Sequence, residues 1–432
     1  MKAKVLWPLV AGLAAVAVAS YAATGALSAP SSAAKSAAAP VKLSLWESHN
    51  AGPVQNSEVY LVNWFNRTHP TIHVSIVSTK ASTKALAALA AGNPPMLAEI
   101  SHYDGSFLNA HALLPLNPFL TAKNGLGPQQ FYPAVWNNGA VGGQHYRLMA
   151  DVKVSQLSYN VKMFAQAGIK SPPATWAQLA TDLALIKKKF PSVIPMAYKD
   201  SSAHILPPFI ANGGQLFAPG SKGTKADFLS PAATATFNYF RTLYKNHLMI
   251  FAHGSNIRAD FGAGHIAVGD GTSAGYQKTL EAVHGRFPVG VFAYPNGSTG
   301  HSANIAQGLG FVTMIDHTKA ERQAAGTFIK WWFGPAQQVY WAEHSGYPPE
   351  TRASAARMPK SFLATHPGTR VSTAELASKY TIPRPLPGSY KEVQAVLDAL
   401  FFKAVTGQLS VHAALQQLQQ QSDAYLSGHA QL

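Results

Sequence analysis

Residues 41–101 read VKLSLWESHNAGPVQNSEVYLVNWFNRTHPTIHVSIVSTKASTKALAALAAGNPPMLAEIS, and the periodicities in this stretch decide the fold. VKLSLW alternates and is rich in strand formers, which predicts a first strand running out into Trp46-Glu47-Ser48-His49. Val54, Leu61, Trp64 and Phe65 then share one side at helical spacing, so a helix is expected from about Val54 to Thr68. Ile72–Val77 predicts a second strand, and Thr83–Ala91 a second helix stopped by Gly92-Asn93-Pro94. Met96–Ile100 is the third strand and carries Ser101-His102-Tyr103 at its carboxyl end. Strand, helix, strand, helix, strand is the opening of an α/β layer. In open α/β sheets ligands bind at the carboxyl edge of the strands.

Upstream of this core, Lys2 and Lys4 precede the apolar run Val5–Val18 and small residues through Ala23. That order predicts a secretory signal peptide over 1–27, since Pro8 and Gly12 interrupt the run before it could span a bilayer. Residues 28–40 have too little bulk to pack and read as a disordered spacer. The chain has no cysteine, which excludes disulfides, thiolate metal sites and a lipid-bearing cysteine, so a secreted protein without a lipid anchor is expected, periplasmic or extracellular. The net charge of +15 raises nucleic acid as a partner, but the basic residues are scattered; the one short run, Lys187–Lys189, ends a helix, where cations complement the dipole. No nucleic-acid partner is expected. Charged residues make up only 12% of the chain and carboxylates are few, which suits an acidic exterior, where carboxylates are partly protonated.

Downstream, the pattern lengthens into an extended run near Tyr146, and Leu157–Asn160 leads into a helix closed by Gly168. Thr175 is placed to cap the next helix, with Gln178 in the capping-box position. His265–Val268 predicts a strand ending in Gly269-Asp270-Gly271-Thr272-Ser273, and Gly290–Tyr294 another. Gly308–Val312 is glycine-rich and extended, and precedes a helix bearing Phe328, Trp331 and Trp332; Pro335 restarts a helix that runs to Gly346. No fixed-period repeat and no internal linker interrupt this α/β pattern, and 432 residues allow two lobes connected by more than one crossing.

Several motifs in this order resemble the extracellular solute-binding proteins of ABC importers, in the branch that handles sugars and glycerol phosphates. They are LSLWESHN with Phe65-Asn66-Arg67-Thr68-His69-Pro70, then Ala91–Pro95, then Ser158-Tyr159-Asn160 with Phe164, Ala167-Gly168, Pro172-Pro173 and Thr175-Trp176, and lastly the segment from Phe328–Trp331 through Trp341 to Ser345-Gly346-Tyr347-Pro348-Pro349. The resemblance covers about Val41 to Leu426. It implies a two-lobed, periplasmic-binding-protein-like α/β fold of type II, with a ligand cleft between lobes that close about hinge strands. The expected division is 41–150 for the first part of lobe 1, 151–304 mainly lobe 2, 305–345 crossing back to lobe 1, and 346–432 hinge-proximal and C-terminal helices. A monomer without cofactor is expected, delivering a small polar ligand to an ABC permease in the cytoplasmic membrane.

The resemblance also implies site positions. A family tyrosine falls on Tyr347, a serine on Thr272 beside Ser273, a glutamate on His102, a serine on Lys153, a glycine near Gln307 and Gly308, and an arginine near Arg384. The residues themselves suit capture of a polar solute, which needs aromatic faces and side chains that replace water. Trp46, Tyr103 and Tyr347 fit the first role; Glu47, His102, Asp151, Lys153, Thr272, Ser273 and Gln307 fit the second. Lys153, Arg384 and a protonated His102 favour a phosphate or carboxylate on the ligand. A competing enzyme reading exists, because Gly271-Thr272-Ser273-Ala274-Gly275 matches the G-x-S-x-G elbow of serine hydrolases, with Asp316 and His344 following in order. No HExxH occurs and the histidines lack ligand spacing, so no metal site is expected.

Overall fold

The computed structural model describes residues 39–49, 51–101, 104–121, 123, 126–385 and 389–427; the expected signal peptide and most of the spacer lie outside them. In chain order the strands are β1 Val41–Glu47, β2 Ile72–Ser78, β3 Leu97–Ile100, β4 Leu113–Leu114, β5 Ala140–Val141, β6 Gln144–His145, β7 Leu148–Met149, β8 Ser155–Asn160, β9 Ile194–Tyr198, β10 Met249–Phe251, β11 Ile266–Thr272, β12 Val289–Ala293, β13 Asn304–Ala306, β14 Gly310–Met314 and β15 Thr381–Pro383. Two helices of the opening stretch are α1, Gly52–Thr68, and α2, Ala81–Ala90.

Two sheets organise the chain. The first has the order β2-β1-β3-β14-β4, with β7 also pairing β14; β1, β2 and β3 run parallel and β14 runs against them. The second repeats this plan in the order β10-β9-β11-β8-β12, with β9, β10 and β11 parallel and β8 antiparallel. In each sheet the first strand of the parallel trio lies between the second and the third. That reversal of direction opens a crevice at the carboxyl ends of β1 and β3 in one sheet, and of β9 and β11 in the other.

Apolar stripes bury the helices against these sheets. Leu61, Val62 and Phe65 of α1 meet Phe328, Ile329 and Trp332 of the helix Lys319–Trp332 in the first core, and Phe65 stacks edge-on to Phe328 at 5.0 Å. Fully burying each such side chain contributes about 2–3 kcal/mol. The second core draws on the distant helices Tyr390–Thr406 and Val411–Leu426, through Leu397, Phe401, Leu415 and Leu418. Thr175 caps the helix Trp176–Lys189 as its sequence predicts, accepting from Gln178 N at 3.1 Å. Gln178 reaches one residue further back than a capping box requires, to Ala174 N at 3.0 Å.

Three chain segments connect the two lobes: the first crossing, between β7 and β8, holds Asp151 and Lys153; the second, between β12 and β14, holds β13, Gln307 and Leu309; the third holds β15. Lys153 and Gln307 exchange backbone hydrogen bonds of 2.8 and 3.0 Å, and β13 pairs in parallel with β15. Gly308 (φ +149°) lets the second crossing pass the first, because a Cβ there would lie 1.8 Å from the Asp151 carbonyl oxygen. Asn304 braces the same region, its amide accepting from Ser155 N at 3.0 Å and donating to Ser155 O at 2.8 Å.

Candidate functional site

The two crevices carry different chemistry. At the carboxyl end of β1, Glu47 is fully buried and its carboxylate accepts from His49 N. His49 Nε2 lies 3.1 Å from Asp151 and 3.7 Å from Glu99 of β3. Glu58 of α1 and Glu350, just beyond Tyr347-Pro348-Pro349, are fully buried in the same neighbourhood. Five of the chain's 19 acidic residues, Glu47, Glu58, Glu99, Asp151 and Glu350, thus gather around one imidazole.

Burial in a medium that solvates charge poorly sets the protonation of this group. It pushes Glu58, Glu99 and Glu350 well above the usual carboxylate range, and their neighbours' negative charges push them further. For His49 burial acts downward, but the hydrogen bond and charge of Asp151, with Glu99 and Glu47 behind it, outweigh burial and raise its pKa to about 9. Burial also pushes Asp151 upward, yet His49 and then Lys153 hold it below its ordinary value. Asp151 is therefore held in its ionised form, and it accepts from Leu309 N of the second crossing at 2.5 Å.

Aromatic rings cover the cluster on its cleft side. Tyr347 stacks on Trp341 at 5.8 Å and stands edge-on to His49 at 6.3 Å, and Lys153 Nζ lies 5.9 Å above the Tyr347 ring. Burial and the adjoining Asp151 raise the Tyr347 phenol far above its usual value, so it stays a hydrogen-bond donor. His49 and Tyr347 then line a cavity of about 260 Å³, closed on the far side by Ala274, Gln277 and Lys278.

The second crevice is basic at its mouth. Lys199, directly after β9, and Arg258 line a small recess with Ser158, Gly271 and Thr272. Burial lowers the Lys199 pKa, Asp270 opposes that, and the charges of Arg258 in the same recess and of Lys153 beyond it add to the lowering. Asp270 beneath them is fully engaged: Lys199 N donates to it at 3.0 Å, Tyr294 OH at 2.7 Å, and His204 Nδ1 lies at 2.9 Å.

Of the residues expected from sequence, Glu47, Asp151, Lys153, Gly308 and Tyr347 converge on His49, and Thr272 lines the recess opposite. Trp46 is half-buried and packs with Leu86 and Tyr146 on a smaller core of the first lobe. Gln307 is turned toward the second lobe, its amide 3.5 Å from Ser155 Oγ and from Ala203 O. Arg384 follows the third crossing, where it lies against the Tyr390 phenol. His102 and Tyr103 lie outside the described residues. Reasoning from sequence passed over His49, Glu58, Glu99, Glu350, Lys199 and Arg258. For Glu58 a signal was present: position 58 falls on the apolar stripe of α1, four residues after Val54 and three before Leu61.

The hydrolase alternative fails on geometry. Ser273 opens a 3-10 turn, without the positive φ of a nucleophile elbow, and its hydroxyl accepts from Val154 N at 3.3 Å. His344 Nδ1 is engaged by the Tyr340 carbonyl at 2.9 Å, and no hydrogen bond among the described residues joins it to Ser273 or Asp316.

A family model for bacterial extracellular solute-binding proteins matches residues 61–368, well over half of the chain. The chain belongs to that family. No curated protein matches this solute-binding protein in sequence. Solved structures agree in fold: the cyclic alpha-maltosyl-1,6-maltose binding protein of Arthrobacter globiformis superposes with a TM-score of 0.78 at 19% identity, covering 90% of this chain and 100% of that one. The sugar-binding protein MalE of Xanthomonas citri gives 0.79 at 21% identity, covering 90% and 98%. UgpB of Mycobacterium tuberculosis, solved in complex with glycerophosphocholine, gives 0.77 at 19%, covering 90% and 98%. The solute-binding protein accordingly has the two-lobed α/β fold of these binding proteins. No helix among the described residues is long and apolar enough to cross a membrane.

Proposed function

We propose that this solute-binding protein is the capture component of an ABC importer, working as a monomer outside the cytoplasmic membrane without a lipid anchor. It closes on a small polar solute bearing a phosphate or carboxylate, of the glycerol phosphate or glycerophosphodiester class, and hands it to a membrane permease. One observation carries this reading: the two crevices are opposed in charge, with Lys199 and Arg258 on one wall, Asp151 beneath Tyr347 on the other, and Lys153 over the Tyr347 ring within electrostatic reach of both. The cationic wall supports recognition of the anionic end, with Ser158 and Thr272 as hydroxyl partners. Tyr347, backed by its stack on Trp341, offers an aromatic face to the solute's carbon skeleton. Sugars such as those named for the Arthrobacter and Xanthomonas proteins are the second reading, favoured by that same aromatic face.

A ligand bound only by the folded form raises the melting temperature, so a thermal-shift screen of glycerol 3-phosphate, glycerophosphocholine, maltose and glucose tests the proposal. The expected result is a rise with the phosphate-bearing compounds that is lost in Lys199→Ala and Tyr347→Ala. A rise with the neutral sugars alone would move the assignment to the second reading. No rise with any of the four would overturn both.

A further inference from the structure

We propose that His49, Glu58 and Glu99 form a binding site for a divalent transition-metal ion, of the Zn²⁺ or Mn²⁺ class, in the wall of the first lobe behind the ligand cleft. The three residues come from three elements: His49 from the loop after β1, Glu58 from the second turn of α1, and Glu99 from β3. One ligand atom of each lies within 4.8 Å of the others. Bonds of about 2.0–2.2 Å to imidazole nitrogen and carboxylate oxygen fit inside such a triangle after small side-chain adjustments.

A gathering of acids does not by itself make a site; the state of Glu58 supplies the independent argument. Its side chain is fully buried, and neither carboxylate oxygen has a hydrogen-bond partner among the described residues. Glu99 Oε2 and Glu47 Oε1 are likewise buried without a partner. Leaving a buried acceptor unmade costs about 1–3 kcal/mol, and more for a charged group. The second lobe shows the contrast, since its buried Asp270 is engaged by Lys199, Tyr294 and His204. One ion at the centre of the triad would satisfy Glu58 and Glu99 together.

The donor set selects the kind of ion. One imidazole with two carboxylates suits Zn²⁺ or Mn²⁺ better than Ca²⁺, which takes six to eight oxygens, or Mg²⁺, which keeps most of its water. Asp151 lies 3.1 Å from the same His49 Nε2 that is 3.7 Å from Glu99, so once that nitrogen has released its proton Asp151 offers a further carboxylate oxygen on the ion's side of the ring. Because Asp151 belongs to the first crossing, the ion would tie β1, α1 and β3 to the hinge. Its role would be to fix the cleft wall carrying Tyr347, independent of which solute the cleft accepts.

The test uses the full mature chain after dialysis against a chelator, titrated calorimetrically with MnCl₂ and, separately, ZnCl₂, beside Glu58→Gln and the exposed control Glu392→Gln. We expect one equivalent bound per chain, a melting temperature raised by several degrees, and the same behaviour in Glu392→Gln. In Glu58→Gln, which keeps the side-chain shape, the affinity should fall about 100-fold or more while far-ultraviolet circular dichroism stays unchanged. Equal binding by wild type and Glu58→Gln would overturn the proposal by placing the ion at other histidines. Absence of stoichiometric binding in wild type would also overturn it, leaving protons to neutralise the cluster. Neither result bears on solute capture, which the thermal-shift screen reads separately.

Discussion

Replacing Asp398 by asparagine should abolish a pH dependence of stability that the wild-type chain carries. Asp398 lies on the helix Tyr390–Thr406 and accepts from Ser202 N at 2.5 Å. Burial, reinforced by the charge of Asp200 against the opposing Ser202 bond, raises its pKa from 3.8 to about 7. The sign follows from proton counting. Between pH 4 and 7 the unfolded chain has released this proton and the folded chain still holds it, so stability falls as pH rises, by about 1.4 kcal/mol per unit for this one group. The difference between 7 and 3.8 is 3.2 units, worth at most about 4 kcal/mol and, allowing for partial solvent access, roughly 2–4 kcal/mol. Asparagine keeps an acceptor for Ser202 N and cannot ionise. Urea unfolding of both proteins at whole pH units from 4 to 8, read by tryptophan fluorescence, should give equal stability at pH 4. The variant should be ahead by roughly 2–4 kcal/mol at pH 8. Parallel stability curves for the two proteins would refute the reasoning.

Other outcomes follow from the hinge and the cleft. Gly308→Ala should lower stability by roughly 2–4 kcal/mol in denaturant melts, since its Cβ would collide with the Asp151 backbone at a φ of +149°; an unchanged melt would contradict the close approach. Tyr347→Ala should weaken solute binding at least ~10-fold by calorimetry, whereas Tyr347→Phe, which keeps the stack on Trp341, should retain most of the affinity. Ser273→Ala should leave solute binding and a null background of ester hydrolysis unchanged, and cost about 1 kcal/mol of stability for the lost bond to Val154 N; measurable wild-type hydrolysis that vanishes in the variant would revive the enzyme reading.

The opening of the fold was legible because its information is local. Alternation in VKLSLW and the apolar spacing of residues 54–65 each identify an element within one short window, and β1 and α1 form there, extended by a few residues. The antiparallel partners were not legible. β14 pairs with β3 across about 210 residues, and no local period reports such a contact. The site divides in the same way. Tyr347, Asp151 and Lys153 stood out through motif or chemistry, whereas His49, Glu58 and Glu99 are separated by 9 and 41 positions and become a group only when β1, α1 and β3 pack. Glu99 sits in a four-residue strand that is buried throughout, where a lone carboxylate looks like an interruption of an apolar run. Lys199 and Arg258 were passed over because only the second crevice gives them a shared direction.

The late arrival of β14 also governs when this molecule can take shape. A chain emerging from its amino end cannot complete the first sheet until residues 310–314 are available to lie between β3 and β4. Nor can it close the second core until residues 390–426 follow. Contacts so far apart along the chain form slowly, so the newly made polypeptide stays pliant through most of its synthesis. Strand order alone thus postpones completion of both halves of the molecule until most of the chain has been made.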